Sequence, residues 1–457
     1  MIYILGVLAA AAIVGVLMLA MRRWQDAFPL LAVFALPFRL PISTDGRTVN
    51  LLIPLYLVIA AGTLVRLVPR WLNRRPAASP RRRPIALEWL LLAAVVLYAV
   101  QGVYSPDHTK AAENVAFFYI PFGLLFMLLR DVRWTRELIL KCLGIAVALA
   151  VAFVGVGFVE YYRKTLFLNP KVIASDQYGN YFRVNSLFFD PNIYGRFLAI
   201  VTIAVTTIVL WTRNRREVLI GAGVLAWLLA GLITSFSQSS IAALLLGMTV
   251  LAAYRWDARA TVYVAVALLA IVAVVVFAAP PSLHFGLKGA GGSTSNATSG
   301  RTKLVDGGLE LFADRPLWGY GSGSFETEYR RHGNASAANA TSASHTIPIT
   351  VAAEQGLAGL AVYVALLVAA FATLFRGAGR SPPHRKPGDT DASPFRLALA
   401  ACFAALVLHT WTYADFLEDP ITWTLLGVGV ALARGYGLAA GETAEDARAF
   451  GENAPSM

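Results

Sequence analysis

The stretch SASHTIPITVAAEQGLAGL (342–360) sets a histidine at the end of a polar, glycine-rich loop and a glutamate inside the apolar run that follows. An imidazole titrates near neutral pH, so His345 suits a general base that takes a proton from a hydroxyl. At a loop-to-helix junction the same residue also serves as an interfacial cap. If a helix starts at His345, Glu354 lies roughly 13 Å further along at 1.5 Å per residue. A charge at that depth in hydrocarbon costs about 2.5 kcal/mol or more, which calls for a partner such as an arginine.

Three arginines stand where topology does not require them. Arg183 lies in NYFRVNSLFFDPNIYGRFL (180–198), Arg196 falls about one turn inside the next apolar run, and Arg301 opens a helix-like stretch. The planar guanidinium fork matches phosphate and carboxylate oxygens. Several such groups beside a membrane suit a diphosphate whose lipid tail stays in the bilayer, whereas singly each reads as a solvated charge or, for Arg196, one that snorkels to the interface. The segment SFSQSS (235–240) offers hydroxyls and Gln238 to a sugar or phosphate, or else to its own backbone in a tight hairpin. Asp190-Pro191-Asn192 reads as a helix cap with proline at the first position. His409 reads as a satisfied core residue. Asp415, Glu418 and Asp419 make a short acidic turn without metal-ligand spacing, and the GxGxG at 319–323 has no strand before it to make a dinucleotide loop. Neither a metal nor a cofactor is expected.

Composition explains why these few groups stand out. Of 457 residues, 57% are hydrophobic and 14% charged, where a soluble protein keeps roughly 25% charge. With a mean hydropathy of +0.60, the chain reads as a polytopic membrane protein, an all-α bundle. The net charge of +12 resides mostly in short loops and orients helices, so no nucleic-acid partner is implied. Cys142 and Cys402 both fall in apolar runs, which supports no disulfide framework.

Apolar runs fall near 2–20, 27–42, 48–68, 86–104, 113–129, 138–160, 192–212, 218–235, 239–254, 260–279, 346–375, 396–416 and 418–434, giving about 12–13 spans at about 20 residues each. The second and ninth are short enough to be re-entrant. Arginines at 22–23, 66–83, 130–136, 213–216, 255–259 and 376–396 occupy alternate loops, which sets that side as cytoplasmic. The chain then divides into N-terminal spans (1–160), a core (161–375) with an extracytoplasmic loop (280–345), C-terminal spans (376–434) and a cytoplasmic tail (435–457). Within the loop, Leu304, Val305, Gly308, Leu309, Leu311 and Phe312 form a helical stripe over Thr302–Ala313, expected to lie on the membrane surface. It stops at Asp314-Arg315-Pro316.

Taken in order, R-x-N-S-x-F-x-D-P-N (183–192), T-S-F-S-Q-S-S (234–240), S-G-R through RPLWGYGSGSF (299–325) and a histidine ahead of E-x-G-L-x-G-L (354–360) resemble the O-antigen ligase and O-unit polymerase family of polytopic membrane glycosyltransferases. The resemblance covers roughly residues 180–370. Gln238 stands where the family usually carries arginine, and Thr346 replaces an asparagine after the histidine. The resemblance implies transfer of a glycan from a polyprenyl-diphosphate donor to an acceptor sugar hydroxyl at the outer leaflet of a bacterial plasma (inner) membrane, in cell-surface polysaccharide assembly. It also implies a metal-independent, inverting displacement with His345 as catalytic base and Arg183, Arg196, Arg301, Gln238 and Glu354 about the substrates. A transporter or flippase of lipid-linked oligosaccharide fits the spans and intramembrane charges too. Against it, no internal repeat with paired broken helices is found.

Overall fold

A computed structural model describes residues 2–44, 47–73, 84–168, 182–256, 259, 261, 263, 301–333, 346–376 and 393–434. Apart from residues 261 and 263, the expected span at 260–279 lies outside the described residues, as does His345. The chain is a helical bundle broken by one small hairpin. In order come α1 (Ile2–Arg23), α2 (Ala27–Ala35), β1 (Leu40–Thr44), β2 (Arg47–Leu51), α3 (Ile53–Asn73), α4 (Ala86–Gly102), α5 (His108–Asn114), a π-helical turn (Val115–Tyr119), α6 (Ile120–Arg130) and α7 (Arg136–Arg163). After these follow α8 (Pro191–Trp211), α9 (Arg215–Thr234), α10 (Gln238–Arg255), α11 (Arg301–Asp314), α12 (Phe325–Arg331), α13 (Ile347–Phe375), α14 (Ser393–Thr412) and α15 (Pro420–Ala433). Among the described residues, seven helical stretches are long and apolar enough to cross a membrane, with α5 through α6 counting as one, and three shorter apolar helices accompany them.

Local sequence accounts for the helix starts. Asp190 accepts a hydrogen bond from Asn192 N at 2.6 Å ahead of Pro191, and Asp419 accepts from Ile421 N at 2.9 Å ahead of Pro420. Thr135, Asn214 and Ser237 cap α7, α9 and α10 in the same manner. Helices α8, α14 and α15 are the most enclosed. By contrast α1 and α4 present Val7, Leu8, Val16 and Trp89, Val96, Val100 outward, the surface that lipid covers.

Two expectations are corrected. The run 27–42 is not a span: α2 has nine residues, about 14 Å at 1.5 Å per residue. The chain then enters the antiparallel hairpin pairing Leu40 with Leu51 and Thr44 with Arg47. Pro37 follows directly on the end of the helix, and hydropathy does not register the strand pairing. The stripe on α11 does not lie on a membrane. Leu304 and Leu311 are buried with Phe325, Tyr329 and Ala353, so the helix packs on protein. Periodicity reveals a face to be covered, not what covers it.

Candidate functional site

The site is organised by a break in α13. Gly356 adopts φ 63° and ψ −160° in the middle of the helix, a region open essentially to glycine alone. The break frees two carbonyls and two amides, and the segment 316–321 takes all four. Tyr320 N and Gly321 N donate to the carbonyls of Ala353 (3.2 Å) and Glu354 (2.8 Å), while Leu357 N and Ala358 N donate to those of Pro316 (2.7 Å) and Leu317 (3.3 Å). A Cβ at Gly319 would stand 2.3 Å from the Glu354 carbonyl oxygen. Helix α4 locks the joint: the Gln101 amide donates to the carbonyls of Trp318 (3.3 Å) and Gln355 (3.2 Å), and the Tyr104 hydroxyl donates to Trp318 O at 2.8 Å. The GxGxG at 319–323 and the E-x-G at 354–356 are thus two halves of one joint.

Glu354 has partners other than the expected arginine. Its carboxylate accepts from Gly323 N (2.8 Å) and Phe325 N (3.0 Å) at the start of α12. Backbone amides at a helix N-terminus satisfy a buried carboxylate without a cation.

The arginines separate. Arg183 is partly exposed beside the 235–240 turn, with Nε donating to Ser235 O (3.2 Å) and Nη2 to Asn192 Oδ1 (3.3 Å). Gln238 is exposed at the first position of α10, three residues further on. The RVNS segment is pinned to α7: Ser186 N donates to Glu160 Oε2 (2.7 Å) and Ser186 Oγ to Phe153 O (2.7 Å). Arg196 is only 1% exposed. Its guanidinium lies 2.9 Å from Asp419 and 3.9 Å from Asp415, and it donates to the carbonyls of Ala414 and Asp415, both at 3.3 Å. Arg196 thus has partners within the fold, the carboxylates of the loop joining α14 to α15. Arg301 starts α11. His409, fully buried, bonds Ser239 Oγ (3.2 Å) and Ser240 Oγ (3.1 Å) through Nε2, as a satisfied core residue does. The serines of SFSQSS thus serve the interior, with Ser237 Oγ also donating to Asn192 Oδ1 at 2.8 Å.

A cavity of about 170 Å³ opens beside the joint, lined by Glu354 but not by Arg183, Arg196 or Gln238. Ile347 and Thr350 from the start of α13 line it, two and five residues after His345 in sequence, with Glu354 deeper. Five carboxyls (Asp107, Glu326, Glu354, Asp415, Glu418) face two cations, Arg39 and Lys110. Burial lifts the Glu418 carboxyl to about 8; the charge of Asp415 adds to this, and Lys110 opposes it. Sequence reasoning missed Arg39, Asp107, Lys110, Asn114 and Glu326, which precede or lie outside the matched motifs. The one available sign was Asp107 before the helix of Lys110 and Asn114, and it reads as an ordinary cap.

The family model described as O-Antigen ligase matches residues 223–364. That segment of the chain is of the O-antigen ligase family. The chain is a multi-pass membrane protein of the ligase and polymerase type, a glycosyltransferase in general terms. The matched segment holds the whole of α10 through α12, both halves of the joint, and the cavity-lining start of α13. No curated protein matches the chain significantly.

Proposed function

We propose that this protein transfers a glycan from a polyprenyl-diphosphate donor to an acceptor sugar hydroxyl on the extracytoplasmic face of the bacterial inner membrane. The observation that carries the reading is the cavity at the head of α13. Gly323, Glu326, Ile347, Thr350 and Glu354 of its lining lie in the family-matched segment, and Ile347 follows His345 by two residues in sequence. In this reading His345 takes the acceptor hydroxyl proton as the new C–O bond forms. The anomeric carbon inverts as its bond to the diphosphate oxygen breaks, and the diphosphate leaves with the electron pair. Arg183, presented beside the 235–240 turn, stabilises the charge that develops there, with Gln238 and Arg301 as further contacts.

The test is transfer by purified protein from a defined lipid-linked donor. Loss of base assistance removes about 10²–10⁴-fold in rate, so His345→Ala is expected to stop measurable transfer while donor still binds. Retention of more than about a tenth of the wild-type rate is incompatible with a base in that range.

A further inference from the structure

The cavity has a chemical bias that its residues make explicit. Asn114 is 4% exposed and lines it. Its amide nitrogen is committed, donating to Tyr98 Oη (2.7 Å) and Glu418 Oε1 (3.1 Å), while its carbonyl oxygen Oδ1 is buried without a hydrogen-bond partner. A buried acceptor left unsatisfied costs about 1–3 kcal/mol, so such a group marks a place for a donor. The helix turns from α to π form at Val115, immediately after this residue, a feature frequent at functional sites.

The rest of the lining points the same way. Asp107 is engaged with Lys110 N (2.9 Å) and Thr327 Oγ1 (3.4 Å), Glu326 with Arg330, and Glu354 with two amides. What faces the chamber from the 413–419 loop is the pair Asp415 and Glu418, of which Glu418 holds a proton at neutral pH and so can donate as well as accept. With Glu418 neutral, four carboxyls still face two cations, which makes the chamber a poor host for an anion. Hydroxyls and ammonium groups suit it, and Phe118 and Tyr98 add aromatic surface.

We infer that this cavity is the acceptor-sugar subsite, built for a hydroxyl-rich neutral or amino-bearing sugar residue, with Asn114 Oδ1 and the Asp415–Glu418 pair accepting its hydrogen bonds and excluding uronic acids and other anionic sugars. The inference rests on the proposed transfer reaction for the word acceptor. It places the diphosphate away from this chamber, toward Arg183, because a dianion there would meet the carboxylates.

The test is direct binding, with no lipid donor and no turnover. The purified full chain in detergent is titrated at pH 7 with methyl glucoside, the methyl glycoside of glucosamine, and methyl glucuronide, each followed by saturation-transfer NMR. The amino and neutral glycosides are expected to bind, and the uronide at least tenfold more weakly. Asn114→Ala is expected to weaken the first two by about twofold to tenfold, the range for one neutral hydrogen bond. Asp415→Asn, which removes the carboxylate beside the protonated Glu418, is expected to bring the amino-to-neutral affinity ratio close to one, a change in selectivity that partial unfolding does not produce. Uronide binding as tight as the neutral glycoside, no binding of any of the three, or ratios unmoved by Asp415→Asn would overturn the assignment. Normal glycoside binding with no transfer from any lipid donor would instead count against the proposed reaction alone.

Discussion

Gly356→Ala attacks the joint without touching any group that would meet a substrate. At φ 63° and ψ −160° an alanine is strained, at about 1–3 kcal/mol for such a conformation. Its Cβ would also stand 2.5 Å from the Leu317 carbonyl carbon and oxygen, which are backbone atoms with no rotamer to change. The loop must therefore retreat, and the amides of Leu357 and Ala358 lose Pro316 O and Leu317 O. One or two buried amides left unpaired add about 1–3 kcal/mol each, though relaxation keeps such terms from adding fully. The expected loss is about 2–6 kcal/mol of stability. It is measured by unfolding in mixed dodecyl maltoside–SDS micelles, alongside Gly6→Ala as a control whose Cβ meets nothing within 4 Å. Transfer activity is expected to fall with it, because the segment released carries Gly323 and the start of α12. A Gly356→Ala protein within about 0.5 kcal/mol of wild type, the range of an ordinary surface substitution, would refute the view that this break and this loop form one unit.

Three further outcomes are expected. Arg183→Ala should weaken donor binding roughly tenfold to a hundredfold, matching about 1.5–3 kcal/mol for a charged contact, with Arg183→Lys recovering only part; unchanged donor affinity moves the diphosphate elsewhere. Because the folded-state pKa of Glu418 is raised to about 8, the native state holds a proton that the unfolded chain releases near 4.3. Its contribution to stability is therefore full below that value and lost as pH rises through about 8, and Glu418→Gln should flatten the melting temperature against pH in that window. A cysteine placed by Ser336→Cys in the 280–345 loop should react with a membrane-impermeant maleimide in spheroplasts, and labelling only after lysis would invert the orientation.

The sequence by itself determined whatever depends on near neighbours along the chain. Hydropathy placed most of the long helices, and the Asp190-Pro191 pair marks a start that the capping bond reproduces. The ordered motifs from Arg183 to Gly359 led to the family that the match over 223–364 supports. Local reading failed where the partner is remote. Nothing near Glu354 announces that its carboxylate will hold two amides about thirty residues earlier. Nor does the sequence about Arg196 reveal that carbonyls 218 and 219 residues away will accept its hydrogen bonds. The stripe on α11 showed that it needed cover, but packing against Phe325 and Ala353 chose protein over lipid. The cavity is the clearest case, since Asn114, Glu354 and Glu418 converge from three separate parts of the chain. Periodicity and caps are set by backbone geometry within a few residues. The pairing of buried polar groups is set by which helices pack together, and only the tertiary structure decides that.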